Sequence, residues 1–352
     1  MTTVTMVMVT TVKTSTATIT EPPTSLSTPQ DSTRAPRAMR AGLVSVVLAA
    51  ILAATTWWLD EAAEADLTGR DHAPFSAGFL EAGGVRWRYL EAGDGPPLVC
   101  VHGAYGGAED WVETVGPELS TRFRVVAFDR PGHGFTERGA SNATPSEQAA
   151  SLVAALDALE IERPLLMGFS WGGAVSAALV AEHPERAAGA VLLGAPLYAW
   201  DGDVSFLDRG LALPVLGPSF ARLGGSALAR LIAPAMLEES FAPESAPADF
   251  FERSPVPLAL RVSSLIANAR DMAGLNRALG EQSGRYGAIR VPIEVVHGSG
   301  DQVVWTTHHA QPFAAEVPSA VLTELPGAGH HLLYTRSADV IDALDRLSER
   351  VD

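Results

Sequence analysis

Cysteine is almost absent from this chain: Cys100 is the only one among 352 residues. No intramolecular disulfide can form, and the redox compartment is left open. Positive charge is also scarce. Lys and Arg number 25 against 41 Asp and Glu, a formal net charge of −16. That balance excludes a nucleic-acid partner, which needs basic patches. The sequence has no phosphate loop, dinucleotide fingerprint or metal-ligand cluster, so no cofactor is expected. Aromatic residues are few, at 7 %, but apolar residues reach 47 %, enough for a sizeable core. The length suits one large α/β domain with an insertion, or two small domains.

Charge is also missing from one continuous stretch. Residues 1–40 read as a disordered leader, rich in Thr, Ser and Pro as far as Ala38 and without a sustained amphipathic pattern. Ala41 to Trp58 then runs without a charged residue, roughly 27 Å as a helix and just enough to cross a bilayer core. Arg34, Arg37 and Arg40 precede it, and Asp60, Glu61, Glu64 and Asp66 follow it. The basic flank should stay in the cytoplasm, with everything after Trp58 on the far side and Trp57 and Trp58 at the interface. Two alternatives stay open. The segment could be a cleaved secretory signal, with Ala63-Glu64-Ala65 as the cleavage site. It could also be a buried core helix, although it has no polar face. Met39 offers a second start for translation.

Beyond this segment the pattern alternates. Phe79–Glu81 and Val85–Glu91, joined by Gly83-Gly84, predict a hairpin. Short continuous apolar runs predict buried parallel strands at Pro97–Val101, Phe123–Phe128, Pro164–Met167, Ala190–Leu193 and Ile293–Val296, closed by Ala320–Leu325. Helical patterns lie between them. Thr144-Pro145-Ser146-Glu147 predicts a capping box, and the helix behind it should bury Leu152, Val153, Leu156 and Leu159. Ser337–Val351 predicts a last helix with Val340, Ile341, Leu344 and Leu347 inward. This is an α/β chain with a mostly parallel central sheet covered by helices on both faces. Between residues 197 and 289 the alternation stops. Phe206–Leu237 and Leu258–Leu279 look helical, too long a stretch for a loop. They predict an inserted helical cap over a core made of 78–196 and 290–352; the alternative is that these helices extend the core.

One short motif organises the rest. Gly168-Phe169-Ser170-Trp171-Gly172 sits between the apolar Pro164-Leu165-Leu166 and the helical pattern Gly173–Val180. It reads as strand, sharp turn and helix with a serine at the apex. A Cβ at either flanking glycine would crowd the place where the chain doubles back. The new helix aims its N-terminal amides at the same spot. Alone, the pattern equally describes a Gly-rich turn before a buried helix.

With four further motifs in order, the chain from Gly78 to its C-terminus resembles an α/β-hydrolase-fold enzyme of the serine type. Val101-His102-Gly103-Ala104-Tyr105-Gly106-Gly107 resembles the oxyanion loop, and Phe128-Asp129-Arg130-Pro131-Gly132-His133-Gly134 the turn after the next strand. His297-Gly298-Ser299-Gly300-Asp301 resembles the acid loop, and Gly327-Ala328-Gly329-His330 the histidine loop. The order of nucleophile, acid and histidine is that of the fold. The resemblance also places a cap after the sixth strand, where this chain has one.

The resemblance implies a catalytic triad of Ser170 as nucleophile, His330 as base and Asp301 as the acid that orients it. His331, beside His330, competes for the base, and Asp201 and Asp203 for the acid. Backbone amides of Ala104 and Trp171 are expected to form the oxyanion hole. His102 should organise its loop, Asp129, Arg130 and His133 should stabilise their turn, and Cys100 should act as a small apolar residue. The expected reaction is hydrolysis of a carboxylic ester through an acyl-enzyme. Similar families also include lipases, carbon–carbon bond hydrolases and cofactor-free haloperoxidases, and a binding protein could keep the fold without turnover. A serine at the elbow argues against the aspartate-dependent dehalogenases and epoxide hydrolases. The expected partners are a small-molecule ester with an apolar acyl group and a membrane. Leu211, Leu213, Val215, Leu216, Leu228, Leu231 and Ile232 in the cap should line the acyl site.

Overall fold

Eight apolar runs pair into one sheet in the computed structural model, which describes residues 34–139, 143–202 and 205–351. Residues 1–33 of the expected leader and Asp203 lie outside the described residues; the rest of that leader, 34–40, is helical rather than disordered. The strands are β1 (Ser76–Ala82), β2 (Val85–Ala92), β3 (Pro97–Val101), β4 (Arg124–Phe128), β5 (Leu165–Phe169), β6 (Gly189–Leu193), β7 (Ile293–Gly298) and β8 (Ala320–Leu325). Their order is β1-β2-β4-β3-β5-β6-β7-β8. β1–β2 and β2–β4 are antiparallel, and every other neighbour is parallel. The tight turn of the β1–β2 hairpin needs positive φ at both central residues, which Gly83 (58°) and Gly84 (71°) supply. Every residue of β5 and β6 is buried. That is why these strands read as unbroken apolar runs: helices cover both faces of the sheet.

The main helices are α1 (Arg34–Gly69), α2 (Pro145–Ala158), α3 (Trp171–Glu182), α4 (Phe206–Ala212), α5 (Leu216–Phe220), α6 (Ser226–Phe241), α7 (Val262–Ser283) and α8 (Ser337–Ser348). The chain divides into two units, 1–46 and 47–352. In the first, the described residues 34–46 are helical. α2 starts with the expected capping box, the Thr144 side chain accepting from the Glu147 amide while Glu147 accepts from the Thr144 amide. Its buried face differs slightly from expectation: Ala149 and Ala155 join Leu152 and Leu156, while Val153 and Leu159 are half-buried. In α8, Ala343 likewise is buried and Ile341 is half-buried.

α1 extends well past Trp58. Val44–Gly69 is long and apolar enough, by length and composition, to cross a membrane. Val47, Leu48, Ile51, Leu52, Trp57 and Trp58 are exposed, whereas Ala63 and Leu67 near its end are buried. The Ala63-Glu64-Ala65 triplet therefore lies inside a packed helix.

α4 and α5 are short, the chain kinks at Leu223 and Gly224 between α5 and α6, and Pro234 lies inside α6. α7 divides its packing. Leu265 and Ile266 pack with these helices. Leu275 and Leu279, followed by Tyr286 and Ile289, join the main core beside α3. The main core thus reaches back into the stretch assigned to the cap.

Candidate active site

Ser170 follows β5 and caps the start of α3 with φ 50° and ψ −119°. A non-glycine residue adopts this conformation only where its surroundings enforce it. The enforcement is visible on both sides. A Cβ at Gly168 would lie 2.4 Å from the Gly172 carbonyl oxygen, and one at Gly172 would lie 2.1 Å from that of Val101. The Ser170 amide donates to the Leu193 carbonyl at 2.7 Å, tying the turn to β6.

His330, reached through the Gly327-Ala328-Gly329 turn after β8, is buried over this serine. Its Nε2 lies 3.0 Å from Ser170 Oγ, and its Nδ1 lies 2.7 Å from Asp301 Oδ2. A carboxylate can only accept, so the ring proton sits on Nδ1 and leaves Nε2 free to accept from the serine. Asp301 follows β7. Its Oδ1 accepts from the amides of Val303 and Val304, both at 2.8 Å. Burial alone would raise this carboxyl's pKa. The facing His330, the His297 side chain and the Val304 amide outweigh burial and hold it below the usual range.

The rival residues point elsewhere. His331 Nε2 lies 2.8 Å from Ser240 Oγ, and its ring stacks on Phe241 at 4.0 Å. Burial, helped by His330, pushes its pKa down to about 3. Asp201 is exposed at the cavity wall.

No hydrogen bond among the described residues engages the amides of Ala104 and Trp171, and both residues line the cavity in front of Ser170. The loop carrying Ala104 is held from below. His102 Nδ1 donates to the Gly103 carbonyl at 2.8 Å and its Nε2 accepts from the Arg130 amide at 2.9 Å. That pattern needs neutral imidazole, and burial, with Arg130 and His133 nearby, keeps the pKa well below normal. Arg130 donates to the Gly103 carbonyl at 3.1 Å, and its guanidinium lies 4.5 Å over the Trp171 ring. Asp129 accepts from the amides of Ala108 and Phe135. Cys100 is wholly buried, which pushes its thiol pKa up.

Three residues that sequence reasoning missed complete this support. Asp271 on α7 pairs with Arg130 at 2.8 Å and Arg138 at 2.7 Å, and lies 3.1 Å from His133 Nε2. Asn268, one turn earlier, accepts from the Tyr105 amide at 3.1 Å. Asp110 faces the cavity, where Tyr334 donates to it at 2.7 Å and the Gly107 amide at 3.1 Å. Burial pushes its pKa up to about 7 against both hydrogen bonds. No motif marks any of the three. Apart from Gly107 beside Asp110, their partners come from distant segments.

The cavity above Ser170 measures about 780 Å³ and opens at the C-terminal ends of the strands, where such sheets gather their sites. Leu211, Leu228 and Ile232 line it as expected. Leu213, Val215, Leu216 and Leu231 do not line it and are exposed to solvent. Leu216 and Leu231 lie on the solvent side of α5 and α6, and Leu213 and Val215 lie in the connection between α4 and α5, a distinction that composition could not make. No group of three or more His, Cys, Asp or Glu among the described residues is placed to hold a metal ion.

The alpha/beta hydrolase fold family matches residues 96–337. Over 117 residues the chain is 43 % identical to the 2-hydroxy-6-oxo-2,4-heptadienoate hydrolase of Pseudomonas putida, covering 32 % of this chain and 42 % of that one. Over 147 residues it is 38 % identical to the 2-hydroxymuconate semialdehyde hydrolase of a Pseudomonas species, covering 40 % and 50 %. The matched stretches thus span half or less of these two relatives. Among solved structures, an esterase from a Rhodococcus species superposes with a TM-score of 0.60 and 23 % identity, covering 78 % of this chain and 98 % of the esterase.

Proposed function

The chain belongs to the alpha/beta hydrolase fold family, and from that premise we propose that it is a serine hydrolase cleaving carboxylic esters with an apolar acyl group. The observation that carries this is the hydrogen-bonded line from Ser170 Oγ through His330 to Asp301, set beneath a largely apolar cavity. Ser170 Oγ attacks the ester carbonyl as His330 Nε2 takes its proton. Asp301 holds the tautomer and stabilises the imidazolium. The amides of Ala104 and Trp171 receive the oxyanion. The tetrahedral adduct expels the alcohol, which takes the proton from Nε2, and leaves Ser170 acylated. Water then attacks the acyl-enzyme with His330 as base, releasing the acid and restoring the serine.

A second reading is carbon–carbon bond hydrolysis on the same triad, favoured by the names of the two Pseudomonas relatives. The first of those names is that of a carboxylate, the dienoate. No Lys or Arg side chain is among the described residues lining this cavity, so a substrate carboxylate would enter without a cationic partner. Burying a charge unpaired is costly, and ester hydrolysis is the better supported reading. A panel of p-nitrophenyl esters from acetate to decanoate, with a 2-hydroxy-6-oxo-dienoate beside them, separates the two. We expect ester turnover with kcat/KM rising toward medium chains, about fourfold for each methylene that enters the pocket. Turnover of the dienoate with inert esters would overturn the assignment. A peak at acetate would remove the apolar acyl site.

We also propose that α1 anchors the enzyme in a membrane with the catalytic domain outside the cytoplasm. The support is the apolar length of the helix, with Arg34, Arg37 and Arg40 preceding its uncharged stretch Ala41–Trp58 and acidic residues following that stretch. Fractionation, with intact-mass analysis for cleavage, tests this. An intact, soluble cytoplasmic protein would refute it.

A further inference from the structure

The outer face of α4 to α6 is apolar in a way that the cavity does not use. Phe206, Val215, Leu216 and Leu231 are 87 %, 76 %, 68 % and 78 % exposed, and none of them lines the cavity. Monomers rarely leave a contiguous apolar face of this kind without a partner. The charges here are equally selective. In a chain of net charge −16, residues 205–237 contain one acidic residue, Asp208, and it is buried. Arg222 is exposed on the same segment. Glu238 and Glu239 follow, exposed in the last turns of α6, so the exposed carboxylates of this face are confined to that end.

The described part of α1 explains what covers it. Asp60 accepts from the Val262 amide at 3.0 Å and from Arg230 at 3.0 Å, and Glu64 pairs with Arg261. The helix is therefore pinned beside α6 and α7. One further contact sets a depth. A Cβ on Gly224, at the α5–α6 corner, would lie 3.4 Å from Leu52 Cδ2. Leu52 precedes Asp60 by eight residues, roughly 12 Å along a helix, and lies on the apolar side of the Trp57–Trp58 pair. The corner thus stands level with the exposed, uncharged part of α1 rather than with its acidic end. The cavity reaches this side of the protein: Phe220, at 48 % exposure, and Met236, at 53 %, both line it, as do Val303 and Trp305 outside these helices.

We propose that the outer face of α4 to α6 lies in the lipid surface of the membrane that holds α1. The cavity mouth then faces lipid, and the substrate is an ester partitioned into the bilayer, entering sideways without crossing water. This rests on the anchor and ester-hydrolase readings above. An apolar face supplies burial in the acyl region and Arg222 an attraction to anionic headgroups.

The test uses the full chain in vesicles of phosphatidylcholine and phosphatidylglycerol. Retention of protein on the vesicles after an alkaline wash reads the anchor alone. A polarity-sensitive dye on the L231C variant then reads docking without any activity, since buried Cys100 stays unlabelled. Nitroxides on the lipid acyl chains should quench it. The double variant Leu216→Ser and Leu231→Ser should hydrolyse a soluble butyrate ester at the original rate. Its hydrolysis of a long-chain ester held in the vesicles should fall by about tenfold as apolar contact with lipid is lost. Retained protein with an unquenched dye overturns the docking and leaves the anchor standing, and an unquenched dye in a dimer gives the face to a second copy. A quenched dye with unchanged vesicle turnover overturns the route of entry. Protein washed off the vesicles overturns anchor and docking together. A quenched dye in a protein inert toward both esters upholds the docking and overturns the ester reading instead.

Discussion

Asp301→Asn tests how the proposed triad works, because the surroundings dictate which way the new amide must point. Oδ1 of Asp301 accepts from the Val303 and Val304 amides at 2.8 Å. Those donors require an oxygen, so the carboxamide oxygen keeps that position. The opposite flip would set an NH2 against two N–H groups, at about 1–3 kcal/mol for each buried donor left unpaired. The NH2 therefore faces His330 Nδ1, where Oδ2 now stands at 2.7 Å. An amide NH2 only donates, so Nδ1 must accept and the ring proton moves to Nε2. Nε2–H then faces the Ser170 hydroxyl, now 3.0 Å away, and cannot take its proton. The variant should fold normally and lose about 10⁴-fold in kcat. At about 1.36 kcal/mol per decade this is roughly 5 kcal/mol of transition-state stabilisation. The assay is kcat on a short-chain p-nitrophenyl ester, with urea unfolding as the check on the fold. A loss of less than about tenfold would refute the tautomer argument and return the acid role to a residue such as Asp201.

Ser170→Ala should cost about 10⁴–10⁶-fold in kcat, His330→Ala about as much, and the pair together little more than either, because the residues act as one unit. His331→Ala should keep most of its activity, since that ring faces Ser240 and Phe241; an inactive variant at 331 with an active one at 330 would reverse the assignment. Asp271→Asn leaves the buried Arg130 without its counter-charge and should cost about 3–5 kcal/mol in urea unfolding; a change under about 1 kcal/mol would show that the pair contributes little. His309 accepts from the Leu197 and Tyr198 amides on Nδ1, and burial, with His308 and His297 nearby, lowers its pKa to about 3. The unfolded chain binds this proton more tightly, so its contribution is full above about pH 6.5 and is lost as pH falls toward 3. His309→Asn should flatten stability against pH in that window by up to about 1.4 kcal/mol per unit, and an unchanged slope would refute a neutral, buried imidazole.

What could be read in advance was what depends on neighbours in the chain. The hairpin follows from two glycines in sequence, the start of α2 from Thr144, Pro145 and Glu147, and the strands from unbroken apolar runs. The candidate site was legible for the same reason, since each of its residues sits in a local motif whose backbone does the positioning. Packing between distant segments left no such trace. Whether Leu228 faces the cavity and Leu231 the outside turns on three residues of helix, about 300° of rotation, and on where the helix is laid down. Asp271 meets Arg130 across 141 residues and belongs to α7, whose apolar pattern looks alike on both sides of the division between cap and core. That division is the informative part. One helix sends Asn268 and Asp271 to the loop carrying Ala104 and to Arg130, while its first turns pack under the helices that roof the cavity. The start of α7 is also held by Asp60 and Glu64 of α1, so the segment proposed to meet the membrane and the loop carrying Ala104 both contact this one helix.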